Sequence, residues 1–99
     1  MQVQVHSIHF DADQKLLNFV EEKVQKLNLF DDQIIGSEVF LRLDKSESKD
    51  NKVAEIKISV PGKDLFAKKQ GNSFEEATDT AVEALRRQIK KHKSKQRAK

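Results

Sequence analysis

The sequence predicts an α+β fold, a two-layer sandwich of order β-α-β-β-β-α whose four-stranded sheet has both helices packed on one face. Three observations predict it. Apolar and polar residues alternate in four short segments, which is the period of a half-buried strand. Apolar residues recur every three or four positions in two longer segments, as on an amphipathic helix. The 99 residues, of which 36% are hydrophobic, can form one small core, so we expect a single domain.

The first strand and the first helix are predicted within the opening thirty residues. Val3 and Val5 alternate with polar neighbours, as in a strand. Asp11 or Asp13 is placed to cap the helix, with Gln14 as the capping-box partner of Asp11. The apolar face of this helix repeats at helical spacing through Leu16, Leu17, Val20, Val24 and Leu27.

Three further strands form a predicted meander. They cover residues 38–44, 53–60 and about 65–70. A polar segment, residues 45–51, is typical of a hairpin loop between the first two of them. Pro61 and Gly62 match the two central positions of a type II turn before the last strand. In the first strand of the meander, the alternation predicts that Leu43 faces the core.

The last segment predicts a long helix. Ser73 and Glu76 match a capping box. The apolar stripe that follows consists of Phe74, Ala77, Ala81, Leu85 and Ile89. Because residues 73–99 contain no Gly or Pro, the helix can continue past the core. We predict one domain over residues 1–93 and a basic C-terminal tail over residues 94–99, as frayed helix or disordered chain.

The positive charge of the chain is concentrated at its C-terminal end. Of the 19 Lys and Arg residues, eight lie in residues 86–99, which contain no acidic residue, and the other 11 are outnumbered by 16 acidic residues. Such segregation is typical of a protein that binds a polyanion, although a solvated basic helix shows the same pattern. Cations near the end of a helix also interact favourably with its dipole.

Two neighbouring stripes of cations are predicted on the last helix, flanking or opposing its buried face. One contains Arg87, Lys91 and Lys95, and the other contains Arg86, Lys90, Lys93 and Arg97. Long cationic side chains at this spacing suit the phosphates of a nucleic acid. Two lysines of the first helix are expected to extend the same surface. The candidate RNA-binding residues are therefore Lys23, Lys26, Arg86, Arg87, Lys90, Lys91 and Lys95.

Other classes of protein have little support in the sequence. The chain has no cysteine, its three glycines make no phosphate loop, and no apolar stretch is long enough to span a membrane. His6, His9 and Asp11 make at most an incomplete metal site, and we place His6 on the polar face of the sheet and His92 on the basic helix. We therefore predict a cytoplasmic protein that is not an enzyme, with no catalytic residue, cofactor, metal, small-molecule substrate or membrane partner.

Two alternative functions are left open by these patterns. The last three strands and final helix resemble the topology of double-stranded RNA-binding domains, so a free duplex-binding module is one alternative. Against it, the chain lacks the Gly-rich, Lys-Lys signature that opens the final helix of those domains. The other alternative is a protein-interaction adaptor that uses Phe40 and Phe66 on the open face of the sheet.

Several segments resemble a known family over nearly the whole chain. They are VEEKVQKL at 20–27, VFL at 39–41, AEI at 54–56, SFEEATD at 73–79 and LRRQIKK at 85–91. In order and spacing they resemble the ribosome hibernation promoting factor family, which includes ribosome-associated inhibitor A. Two features depart from the family pattern: Ala84 stands where many members have a basic residue, and Phe74-Glu75 replaces a pair such as Met-Tyr.

The resemblance implies a non-enzymatic factor that binds the small ribosomal subunit between head and body, in the channel for messenger and transfer RNA. It implies inhibited translation and stabilised, inactive ribosomes under stress or in stationary phase. Its partners are then the small subunit with its ribosomal RNA and the assembled ribosome. The chain looks like a short form, and short forms in this family can favour ribosome dimers, sometimes with a separate ribosome modulation factor. The matching contact residues are Lys23, Lys26, Arg87, Lys91 and Lys95, with Arg86 and Lys90 as neighbours.

Overall fold

A computed structural model describes residues 1–44 and 51–97, the last three as backbone, and it confirms the predicted order of elements. Residues 45–50 of the expected hairpin loop lie outside the described residues. The strands and helices are β1 (Gln2–Ile8), α1 (Gln14–Gln25), β2 (Gly36–Leu43), β3 (Lys52–Val60), β4 (Lys63–Gly71) and α2 (Phe74–Arg97). A short 3-10 helix, Lys26–Leu29, continues directly from α1.

The four strands form one mixed sheet in the order β1-β2-β3-β4. β1 pairs with β2 in parallel, and the two later pairs are antiparallel. A parallel pair needs a crossover connection, which α1 supplies. The register aligns Val5 with Val39, Val39 with Ile56, and Ile56 with Ala67, so one row of apolar side chains runs across all four strands.

The core lies between one face of the sheet and both helices. In α2 the predicted stripe is confirmed, because Ala77, Ala81, Leu85 and Ile89 have no exposed surface. Two small alanines in the first half of this stripe let α2 pack closely on β3 and β4. The expectation for Leu43 is wrong: this residue ends β2, lies outside the core cluster and is 48% exposed, because the helix layer does not cover it.

The structure shows which of the two candidate aspartates caps α1. Asp13 is the N-cap, and its Oδ1 accepts a hydrogen bond of 2.8 Å from the amide of Leu16. The side chain of Gln14 donates to Asn18 within the helix instead of forming a capping box with Asp11. The cap therefore satisfies one of the amides that have no partner inside the helix.

The cap of α2 and the last turn agree with the sequence prediction. The hydroxyl of Ser73 accepts a hydrogen bond of 3.0 Å from the amide of Glu76. Gly62 has φ of +83°, which a type II turn requires at its third position. Both features follow from local chemistry, so they could be predicted without knowledge of the packing.

The second half of α2 projects beyond the core. Ile89 is the last residue of the helix that belongs to the core, and the backbone stays helical to Arg97. Eight residues at 1.5 Å each extend about 12 Å past it. The molecule is accordingly elongated, with extents of 48 × 24 × 18 Å. The boundary predicted between residues 93 and 94 stays a prediction.

Candidate nucleic-acid interface

The buried stripe of α2 leaves the helix with two flanks that face different neighbours. On one flank Lys93 Nζ donates to the carbonyl of Phe30, just after the 3-10 helix, at 2.9 Å. On the other flank Gln88 donates to the carbonyl of Phe66 in β4, also at 2.9 Å. We call these the α1 flank (Arg86, Lys90 and Lys93) and the β4 flank (Arg87 and Lys91). The two stripes therefore border different neighbours, while Arg87 and Lys90, three residues apart, stay adjacent on the exposed side of the helix.

The α1 flank combines an exposed cation with two that are held in place. Arg86 lies over the ring of Phe30, with 5.7 Å between its guanidinium carbon and the ring centroid. Its Nε is 3.2 Å from each carboxylate oxygen of Glu83, one turn earlier. Lys93 is held by the carbonyl of Phe30, whereas Lys90 is exposed. Arg86 thus offers only part of its charge to an external anion.

Glu83 is the carboxylate that offsets part of the positive charge of the α1 flank. The hydrogen bond from Arg86 is the largest cause that lowers the pKa of Glu83 below its ordinary value of 4.5. Desolvation opposes this effect, and the charges of Arg87 and Lys90 add to the lowering. The same hydrogen bond raises the pKa of Arg86. The pair therefore stays ionised at neutral pH.

On the β4 flank, cations of the helix lie beside cations of the sheet edge. Arg87 and Lys69 line one hollow together with Asp79 and Glu83, and Lys91 and Lys63 line the next one along the helix. Lys95 follows Lys91 by one turn within α2. Sequence reasoning missed Lys63 and Lys69, because the only signal was a lysine-rich strand and its position next to α2 depends on the sheet order.

Lys23 of α1 and Lys26 of the 3-10 helix do not form one continuous surface with the cations of α2. Lys23 lies between the helices, where its Nζ is 3.1 Å from Asp79 Oδ1 and 5.5 Å from the ring centroid of Phe19. Lys26 instead lines a hollow between α1 and the start of β1, beside Glu22. The seven predicted residues therefore occupy separate places: the two flanks of α2, the seam between the helices and the outer side of α1.

The open face of the sheet has a different character. Phe40 stacks on His6 with 4.9 Å between ring centroids, and Phe66 is 49% exposed. Two carboxylates at the centre of this face each contact two basic side chains, Glu38 with His6 and Lys57, and Glu55 with Arg42 and Lys68. Because charge of both signs is paired here, the open face attracts a polyanion less than the flanks of α2 do.

Within residues 1–44 and 51–97 no cluster of three or more His, Asp or Glu side chains is arranged to hold a metal ion. His6 is engaged with Glu38, and His9 is exposed in the loop after β1. None of the described helices has both the length and the apolar character needed to cross a bilayer.

The fold is that of a small α+β domain, and it matches solved structures over nearly its whole length. A subunit interface protein from Coxiella burnetii has a TM-score of 0.83, with 19% identity, over 95% of this chain and 99% of that one. The N-terminal domain of Protein Y from Thermus thermophilus has a TM-score of 0.80, with 22% identity, over 93% and 99%. At these identities the likeness establishes the fold.

Sequence comparison establishes the family. The model of the family described as Sigma 54 modulation protein / S30EA ribosomal protein matches residues 3–97, and the chain belongs to this family. A relative from Pseudomonas putida, named ribosome hibernation promoting factor, is 30% identical over 98 residues, which are 99% of this chain and 92% of the relative. The resemblance seen in the sequence is thereby confirmed.

Proposed function

We propose that this protein is a cytoplasmic, non-enzymatic ribosome hibernation factor. It binds the small ribosomal subunit in the channel for messenger and transfer RNA, through the phosphates of ribosomal RNA. By occupying the channel it inhibits translation and stabilises inactive ribosomes under stress or in stationary phase. The observation that carries the proposal is the cationic charge on both flanks of α2, in a chain whose named relative is a ribosome hibernation promoting factor.

The electrostatic state of the flanks supports phosphate binding. Arg87, Lys90 and Lys91 are exposed, and none of them forms an ion pair with any residue that the structure describes. Exposed, unpaired cations release the counterions of RNA without first breaking an internal contact. Lys23 and Arg86 must loosen their pairs with Asp79 and Glu83 before they bind phosphate fully. We therefore assign the main contacts to the three exposed cations.

The proposal predicts a strong salt dependence of binding to small subunits. If about five phosphates are neutralised, the logarithm of the binding constant falls against log salt with a slope of roughly −3.5 to −4.5. The double change Arg87→Gln with Lys91→Gln should weaken binding about tenfold or more at low salt and make the slope shallower by roughly 1.4 to 1.8. Co-sedimentation of labelled protein with purified small subunits at several salt concentrations measures both quantities.

A matched control removes the same number of positive charges elsewhere on the protein. The double change Lys15→Gln with Lys52→Gln removes two cations that lie outside both flanks, so it should leave the slope unchanged. Added messenger and transfer RNA should displace the wild-type protein from intact ribosomes. Equal losses for the two double variants, or tighter binding to free duplex RNA than to ribosomes, would contradict the proposal. Paired ribosomes in the same gradients, with or without a modulation factor, would reveal dimer promotion.

A further inference from the structure

A shallow hollow lies between the 3-10 helix and the projecting half of α2. It is lined by Leu29, Phe30, Lys90, Lys93 and Ser94. Leu29 is 83% exposed, more than any other large apolar side chain in the described part of the chain. One exposed apolar side chain is common at a protein surface, and what distinguishes Leu29 is its place in a hollow with two lysines at the rim.

The local backbone explains why Leu29 points outward. Leu27, two residues earlier in the same 3-10 helix, has no exposed surface and fills the core. Phe30 follows, and its ring packs partly against the core while Arg86 covers it. Leu29 is therefore the residue of this turn that the fold does not use, and it remains available to a partner.

The rim of the hollow is positively charged. Lys90 is exposed, and Lys93 is fixed by its hydrogen bond to the carbonyl of Phe30. Neither acidic residue nearest in the chain lines it: Asp31 is buried and accepts the amide of Gln33, and Asp32 is exposed outside the lining. An apolar floor with cations on one side matches a ligand that has a flat apolar face joined to an anion.

We propose that this hollow binds one unpaired nucleotide of RNA, with its base against Leu29 and its phosphate on Lys90. The inference rests on the proposed function and adds a base contact to the phosphate contacts. Bases of unpaired nucleotides pack on apolar and aromatic side chains in this way, without sequence-specific hydrogen bonds.

An acidic peptide fits the hollow less well. Peptides usually bind by pairing with a strand edge or by placing several side chains of a helix into a long groove. Here the local backbone is a 3-10 turn, and the carbonyl of Phe30 already accepts from Lys93. One apolar residue beside two lysines offers a single short contact, which suits one nucleotide.

Leu29→Ser tests the base contact on small ribosomal subunits. Removing the apolar surface should weaken binding about five- to tenfold and leave the salt slope unchanged, since no phosphate contact is lost. Ile35→Ser is the matched control, because Ile35 is 68% exposed but lines a different hollow, beside Glu38. Its affinity should equal that of the wild type. Lys90→Gln should instead make the slope shallower by roughly 0.7 to 0.9.

Chemical probing separates the possible outcomes. With subunits saturated by protein, dimethyl sulfate should find an unpaired adenine or cytosine that the wild type protects and that Leu29→Ser leaves reactive. A photo-crosslinking residue at position 29 should attach to RNA, and attachment to a ribosomal protein would overturn the inference in favour of a peptide. If wild-type protein binds and Leu29→Ser matches it in affinity and protection, the hollow is not a nucleotide site. Failure of the wild type to bind subunits would instead refute the proposed function.

Discussion

At the scale of single residues, the cations of this protein differ in how much charge they can offer. Arg87, Lys90 and Lys91 are exposed, whereas Lys23 and Arg86 each face a carboxylate of α2. Counting basic residues therefore overstates the binding charge, because a paired cation gains less from an external phosphate. Under the proposed function, the carboxylates beside the flanks would therefore regulate the affinity for RNA.

Glu83→Gln tests this regulation directly. The change removes the carboxylate that holds Arg86, so affinity for small subunits should rise about three- to tenfold at low salt, with a steeper slope. Glu75→Gln makes the same change of charge at the start of α2, away from both flanks, and should have little effect. Competition co-sedimentation compares the two, and equal affinities would show that Arg86 does not reach phosphate.

Acidification should not reproduce that substitution. Because the pKa of Glu83 is lowered, its carboxylate stays ionised while the pH falls from about 7 to about 5. The stabilisation from this pair is present above the ordinary pKa of Glu83 and is lost only as the pH falls through the lowered value. The affinity of the wild type should therefore show no rise over this pH range that comes from protonation of Glu83. The pH dependence of Glu83→Gln should accordingly match that of the wild type.

One of the two ion pairs beside the flanks of α2 could be predicted from the sequence. Glu83 and Arg86 are three residues apart on one helix, so their pairing could be predicted from spacing. The pairing of Lys23 with Asp79 joins two helices that are far apart in the chain. Their distance depends on how both helices pack on the sheet, and no local pattern records that. The displacement of Lys26 from the predicted surface has the same cause.

At the scale of elements, local chemistry determined the turns and caps. Gly62→Ala is expected to destabilise the protein by about 1 kcal/mol, because an L-residue at positive φ strains the backbone. No atom lies within 4 Å of a Cβ added at Gly62, so the cost comes from the backbone alone. Urea unfolding followed by circular dichroism measures it.

Gly36→Ala is the comparison for that turn. A Cβ at Gly36 meets only the carbonyl of Gln2, at 3.4 Å, and the backbone there needs no positive φ. We expect this variant to be close to the wild type in stability. A larger loss of stability for Gly36→Ala than for Gly62→Ala would mean that the positive φ of the turn is not the reason for the glycine at position 62.

The order of elements could also be predicted, but not which neighbour each flank of α2 meets. The spacing of three or four residues predicts two neighbouring stripes of cations. Their neighbours follow from the parallel pairing of β1 with β2, which leaves β4 at one edge of the sheet. The exposure of Leu29 was not predicted, because helical periodicity does not anticipate the change to a 3-10 turn after Gln25.

At the scale of the whole molecule, the core residues of α2 come before the last of the cations that we propose to bind RNA. A chain truncated after Lys93 keeps Ile89, the last core residue of the helix, so its melting temperature should stay within about 2 °C of the wild type. It loses Lys95, Arg97 and Lys99, so its salt slope on small subunits should be shallower.

Thermal unfolding and co-sedimentation of the same truncated chain test the predicted boundary at residues 93 and 94. A chain that ends at Ala84 provides the contrast, because it lacks Leu85 and Ile89, which have no exposed surface, and should not fold. Unfolding of the longer chain would instead place residues 94–99 in the folded domain.

The packing of α2 also sets when the chain can fold during its own synthesis. This helix covers β3 and β4 and contacts α1, yet it follows all of them in the sequence. The nascent sheet keeps part of its apolar face uncovered until residues as far as Ile89 have left the exit tunnel. Under the proposed function, a chain therefore becomes able to silence a ribosome only after its last core residue has left the exit tunnel.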